Sequence, residues 1–290
     1  MEKKFYEIAR ELMIGAYDLH THTEPSSFNR ALDDFDLILE AEKYGMAGVM
    51  IKSHYEPTQS RANLINRRLN SSTKAFGGTV LNWPNGGLNP FAVENALKNG
   101  AIIIWMPTRD SKNCLRYGDM PGDFFKRPGI TIFDENNNLV SEVYKIFEIV
   151  KKYGAYLATG HLSPEESIKL CEEGRKNGVN MILTHPEWPR TIINGKIQKY
   201  LADLGVLIEK NWLNVAENSI SIEEMAKNIR IAGIKNTYLA TDRGQNGFKH
   251  PAEEMINFII ALLEQGFKKD EIKTMIQTVP SYIVNKIKRV

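Results

Sequence analysis

Eight apolar segments alternating with helical ones predict an α/β protein, a parallel (β/α)8 barrel, for this chain of 290 residues. Three observations carry that prediction. The apolar segments are continuous rather than alternating, as strands covered on both faces must be. Eight such units in about 250 residues match the usual size of a closed barrel better than an open doubly wound sheet. The first segment, Ala16-Tyr17-Asp18-Leu19-His20-Thr21-His22-Thr23, ends in a polar cluster. An open sheet would need a glycine-rich phosphate turn there.

The elements follow in order. A helix over about 2–13 precedes strand one. A helix over 32–44, closed by Gly45, leads to a strand over 47–54. Helix 58–71, strand 74–81, helix 91–99 and strand 101–105 continue the rhythm. It breaks at 107–139, where Pro107, Pro121, Pro128 and Asp134-Glu135-Asn136-Asn137-Asn138 mark a turn-rich insertion with one hairpin. The insertion follows strand four on the side where barrel sites lie, which suits a lid or a contact between copies in a homo-oligomer. Helix 141–153, strand 155–161, helix 164–177, strand 180–185, helix 196–204, strand 206–209, helix 222–232 and strand 237–242 complete the series. Two extra C-terminal helices close the chain. Nothing resembles an interdomain linker, so residues 1–290 read as one domain.

Composition narrows the classes. With 42% hydrophobic and 25% charged residues the chain can build a sizeable core. A net charge of +2, from 37 basic and 35 acidic residues, is too small for a nucleic-acid or membrane surface. Cys114 and Cys171 are the only cysteines, which fits a reducing cytoplasm. The N-terminal stretch reads as an amphipathic helix rather than a signal peptide, and no apolar run reaches the length of a membrane span.

The histidines are the informative residues. Side chains alternate along a strand, so His20 and His22 are expected on one face, with Asp18 one step behind them. Two imidazoles held two residues apart on a strand can chelate one divalent cation. His54 follows strand two, His161 strand five, His185 strand six and Asp242 strand eight. Barrel chemistry sits at those C-terminal strand ends. Of six histidines, only His250, before Pro251, falls outside the pattern.

This combination resembles the ligand set of the amidohydrolase superfamily, whose members are metal-dependent TIM-barrel hydrolases. The segment around Arg30, Lys52-Ser53-His54 and Pro57-Thr58 further resembles an uncharacterised amidohydrolase-like family. The resemblance implies His20, His22, His161, His185 and Asp242 as metal ligands, with Asp242, His185, Lys52 and His54 as catalytic candidates. Zinc suits three imidazoles and a carboxylate with an open position for water; manganese, iron and nickel share those donors. Asp18-Leu19-His20-Thr21-His22-Thr23 also resembles the polymerase and histidinol phosphatase family. That family expects a Glu after strand three and a late Asp-X-His, whereas this chain has Asn82-Trp83-Pro84-Asn85 and Asp242-Arg243-Gly244.

One departure bears on metal count. Binuclear amidohydrolases usually carry a carboxylated Lys or a Glu at the end of strand four, where this chain reads Trp105-Met106-Pro107-Thr108-Arg109. One strongly bound ion is therefore expected, with a second only if a carboxylated Lys52, or Glu209 at the end of strand seven, bridges. Arg30, Arg109, Arg190, Arg243 and Lys249 fall around the mouth and, with Lys52, predict an anionic small-molecule substrate. Arg30, Lys52, Arg109, Arg243 and Trp83 are the substrate-binding candidates; Trp105 and Trp188 suit an aromatic wall or core packing. The expected activity is hydrolysis of an amide, lactone or ester by metal-activated water. The alternatives are a metal phosphoesterase or TatD-like nuclease, which near-neutral charge disfavours, and a non-catalytic metal- or ligand-binding barrel.

Overall fold

Strand one is the part of the chain where the backbone departs most from a plain alternation. In the computed structural model, which describes residues 2–118, 120 and 126–286, β1 (Tyr17–Thr21) pairs in parallel with β2 (Gly48–Ile51). The register slips between Asp18 and Thr21, so three residues oppose two. Such a bulge re-aims the side chains beyond it. Leu19 joins the barrel interior while Asp18 faces outward, against Leu37, Ala41, Val49 and Ala252. Asp18 is thus not on the histidine face, as simple alternation predicts. Its buried carboxylate accepts from Thr241 Oγ1, from Thr241 N at 3.1 Å and from His20 N at 3.2 Å.

The remaining strands are β3 (Lys74–Val80), β4 (Ile103–Trp105), β5 (Tyr156–Ala158), β6 (Asn180–Leu183), β7 (Leu207–Asn211) and β8 (Thr237–Ala240). They form one parallel eight-stranded sheet in sequence order. The ends meet: Asp242 N donates to His20 O and His22 N to Arg243 O, each at 2.8 Å. The predicted (β/α)8 barrel is what forms. Several strands end earlier than the sequence suggests, so Lys52, His54, His161, His185 and Asp242 stand in the loops just beyond them. Strand seven runs longer, to Asn211, and Glu209 lies within it rather than at its end.

Helices cover the outside of this sheet, and the last of them also reaches its interior. They are α1 (Glu2–Met13), α2 (Asp34–Lys43), α3 (Gln59–Arg68), α4 (Pro90–Lys98), α5 (Lys112–Arg116), α6 (Ser141–Tyr153), α7 (Pro164–Lys176), α8 (Gly195–Asp203), α9 (Trp212–Ala216), α10 (Ile222–Ala232), α11 (Pro251–Glu264), α12 (Lys269–Lys273) and α13 (Val279–Asn285). Their starts are chemically marked. Ser163 and Glu166 form a reciprocal capping box on α7, and Asp33, Asn89, Asn194 and Ser221 cap α2, α4, α8 and α10. Ile104, Leu157, Met181 and Leu183 pack outward against helices. Ile103, Trp105, Tyr156, Ile182 and Tyr238 fill the interior with Val279 and Ile283 of α13. Trp105 is therefore core. No helix among the described residues is long and apolar enough to cross a membrane.

The insertion after β4 is tied down rather than loose where it is described. Ser111 Oγ donates to His161 O, and Asn113 Nδ2 donates to Arg190 O at 2.7 Å. Phe133 and Leu139 pair antiparallel across the Asp134–Asn138 turn, the hairpin expected there. Pro121 lies outside the described residues.

At the β1–β8 seam Gly244 has φ +121°, and a Cβ there would stand 1.7 Å from His22 O. No side chain fits without moving the histidine strand. Gly244→Ala should destabilise the fold by about 2–4 kcal/mol, the combined scale of a forbidden φ and a backbone clash. Urea unfolding of variant and wild type measures this; equal midpoints would refute it.

Candidate metal centre and substrate cavity

Asp242 is the hub of the site. Its Oδ1 lies 2.9 Å from His22 Nε2 and 3.2 Å from His20 Nε2, and its Oδ2 lies 3.2 Å from His185 Nε2. Both Asp242 and His185 hold the left-handed backbone region, with φ of +51° and +52°. For non-glycine residues this costs about 1–3 kcal/mol each and recurs where a site imposes it. The turn swings each side chain back over the barrel mouth. Without it, Asp242 could not face histidines from β1 and β6 together.

His20 is oriented from below. Its Nδ1 donates to Glu209 Oε1 at 2.9 Å, and Tyr238 OH donates to Glu209 Oε2. With a proton on Nδ1 alone, the Nε2 lone pair would face the Asp242 carboxylate at 3.2 Å, so this contact calls for a cation at Nε2, either a second proton or a metal. Acceptor against acceptor is repulsive unless a cation stands between them. A carboxylate behind a ligating histidine is also the usual support for a metal site. His20, His22 and Asp242 form one donor group, and His20, His185 and Glu209 another, with donor atoms in each within 4.8 Å of one another. The residues present therefore fit a divalent cation.

Electrostatics agree. Burial opposes charge on His20, but Asp242 and Glu209 outweigh it and raise its pKa to about 9. They favour the positive charge that a metal would otherwise supply. Burial holds His22, His54 and His161 well below the ordinary histidine range, and takes His185 down to about 4. These rings are neutral at pH 7, the form that ligates metal. Asp242 stays ionised despite burial, because the His20 charge and hydrogen bonds from His20 and His22 hold its pKa well below the carboxylate range.

The other predicted residues divide. His161 borders the same cavity, its ring 4.8 Å from Trp188 and 5.4 Å from His185, but it is in neither compact donor group. His54 stacks on His22 at 5.1 Å, with Nδ1 hydrogen-bonded to Thr108 Oγ1. Lys52, Arg30, Arg109 and Trp188 line a cavity of about 650 Å³ above the cluster, together with Phe28 and Phe248. Arg243 and Trp83 do not line it. Arg243 is buried against Glu217 and Glu254, and Trp83 is 40% exposed and donates to Pro128 O. Arg190 braces the insertion instead, donating to Cys114 O at 2.7 Å and Gly118 O at 3.1 Å. Glu209 lies within β7 rather than at its end, where it accepts from His20 Nδ1 and shares a compact donor group with His20 and His185.

A family model described as a family of unknown function, DUF6282, matches residues 15–209. The chain belongs to the DUF6282 family. The matched span holds His20, His22, Lys52, His54, His161, His185 and Glu209 and stops before Asp242. No curated protein matches the sequence. Among solved structures, this DUF6282 chain is similar to the probable dipeptidase PvdM from Pseudomonas aeruginosa, with TM-score 0.71 and 10% identity, covering 99% of each chain. It is similar to an amidohydrolase from Pseudomonas aeruginosa, with TM-score 0.66 and 13% identity, over 97% of this chain and 98% of that one. It is also similar to 2,6-dihydroxybenzoate decarboxylase from Rhizobium, with TM-score 0.57 and 11% identity, over 94% and 99%. The resemblance to the amidohydrolase superfamily is thereby borne out as a likeness of fold.

Sequence reasoning missed a supporting layer of this DUF6282 site. Lys210 Nζ donates to Glu187 Oε1 and, at 2.6 Å, to Gln198 Oε1; Gln198 Nε2 returns to Ile193 O at 2.7 Å. This buried cluster braces the loop carrying His185 and Trp188. Its signal is Glu209-Lys210-Asn211, a polar run inside a strand buried on both faces. Phe28 had no signal at all.

His20→Ala and His22→Ala should each lose bound metal, and Glu209→Gln should weaken metal affinity by about 10–100-fold. Competition with a chromophoric chelator measures both. Full affinity in Glu209→Gln would show that His20 needs no carboxylate behind it. About one metal equivalent per wild-type chain should survive dialysis, whereas two would require a bridging anion.

Proposed function

We propose that the protein is a metal-dependent hydrolase acting on an amide, lactone or ester bond of a small anionic molecule. The observation that carries this reading is the Asp242 carboxylate within 3.2 Å of three imidazoles, at the floor of a cavity of about 650 Å³. A divalent cation held by His20, His22, His161 and Asp242 would polarise a carbonyl oxygen and lower the pKa of water to about 7. Zinc suits this donor set best.

The chain's own groups do the rest. Asp242 Oδ2, the oxygen turned towards His185, accepts the proton of the attacking water. His185 Nε2, 3.2 Å away, relays that proton to the leaving group. Its neutral ring at pH 7 permits such a relay. His54, held by Thr108 and stacked on His22, shapes the wall beside the reacting bond. Trp188, packed against His161 and His185, supplies apolar surface beside them in the cavity.

The fold does not choose the reaction, since its structural neighbours include a decarboxylase by name. The site is what favours hydrolysis: a carboxylate poised as base beside a neutral histidine. Protein stripped by a chelator and reloaded with zinc, manganese, iron or nickel should be assayed on carboxylate-bearing esters, lactones, amides and phosphoesters. Turnover should appear only on reloading, and Asp242→Asn should lower kcat by about 10²–10⁴-fold. Exclusive cleavage of phosphoesters would make it a phosphoesterase. Metal binding without any turnover would make it a binding barrel.

A further inference from the structure

Two cations in the cavity have no direct ion pair among the described residues, although Asp242 acts on both through space. Lys52 is 2% exposed, and the one contact its Nζ shows is with the Trp105 ring, 5.5 Å to the centroid. Arg30 has its Nε buried without a hydrogen-bond partner. Among the described residues, no carboxylate forms a salt bridge with either. An uncompensated buried charge costs several kcal/mol, so proteins rarely keep one without an occupant to neutralise it. Burial draws Lys52 down to about 8 and Arg30 to about 10, although Asp242 pulls both upward.

Their placement has structure. Phe28 carries the Arg30 guanidinium 5.5 Å from its ring centre and that of Arg109 4.0 Å from it, and its edge meets His54. Arg30 pairs in antiparallel fashion with Gln245, whose Nε2 donates to Asp242 O at 2.8 Å. The Arg30 loop and the Asp242 loop are therefore one unit, and the cations stand at a set distance from the metal donors.

We propose that Lys52 and Arg30 form a carboxylate-binding subsite beside the metal donors, which holds the substrate by an acid group other than the scissile bond. The proposal rests on the hydrolase reading for the word substrate, but not for the site itself. One planar fork and one point charge suit the two oxygens of a carboxylate; a phosphate would use more donors. The remainder of the ligand then lies towards Trp188 and Phe248, with its reacting bond over Asp242 and His185.

Isothermal titration with glutarate, its neutral diamide glutaramide and inorganic phosphate tests this, on metal-stripped and metal-loaded full-length protein. Glutarate should bind both forms, and glutaramide at least about tenfold more weakly, the scale of one charge-assisted hydrogen bond. Lys52→Met and Arg30→Gln should each weaken glutarate by a similar factor while keeping wild-type metal content. Arg30 is partly exposed, so its variant keeps the test decisive if Lys52→Met misfolds. Equal binding of glutarate and glutaramide, tighter binding of phosphate, or unchanged affinity in both variants would overturn the subsite. So would loss of metal in Lys52→Met with glutarate binding intact, which would place Lys52 at the metal. Glutarate binding that depends on both cations, in a protein that hydrolyses nothing, would keep the subsite and sink the hydrolase reading.

Discussion

The seam between the first and last strands is the constraint on which the site depends. Two backbone hydrogen bonds, Asp242 N to His20 O and His22 N to Arg243 O, close the barrel between residues that are also the proposed ligands. Closure and site assembly are therefore one event. Gly244 is needed because the β8 loop crosses directly over His22, leaving no room for a side chain. Asp18, buried on the outer face, stitches the same seam from behind through Thr241. Strain in the backbone of Asp242 and His185 is held in place by this closed frame.

Charge is arranged in shells around that seam. Nearest the barrel axis lie the acceptors Asp242 and Glu209, which favour a cation among the imidazoles. Beside them, Lys52 and Arg30 favour an anion in the cavity they both line. A divalent ion and an anionic ligand would each satisfy what the other part of the cavity lacks. Metal and substrate binding are thus expected to support one another electrostatically, in a space from which burial has removed much of the solvent screening.

Beneath these groups is a layer that touches neither metal nor substrate. Tyr238 and Glu209 set the orientation of His20, Thr108 and Asn82 set that of His54, and Lys210 with Glu187 steadies the His185 loop. Each uses a buried polar contact that would be costly if left unpaired. The interior of this barrel tolerates such groups because the apolar plug of Trp105, Tyr156, Ile182 and α13 lies below them.

How much of this was legible in the sequence follows from what each signal depends on. The barrel was legible because strand burial and helix periodicity are local, and because His20, His22, His54, His161, His185 and Asp242 recur at strand ends. The family of motifs therefore pointed to the mouth of the barrel without any contact being known. Asp18 could not be placed, since a bulge reverses face by one residue and leaves no mark in an alternating pattern. Arg243 and Trp83 follow strands as Lys52 does, yet acidic neighbours from other elements capture the first and Pro128 holds the second. Glu209 lies inside β7 rather than at its end because the length of β7 is set by its pairing with β8, not by its own composition. Residue identities determined which chemistry was available; the closing of β1 on β8 decided which side chains share it, because a contact across 220 residues is fixed only by tertiary structure.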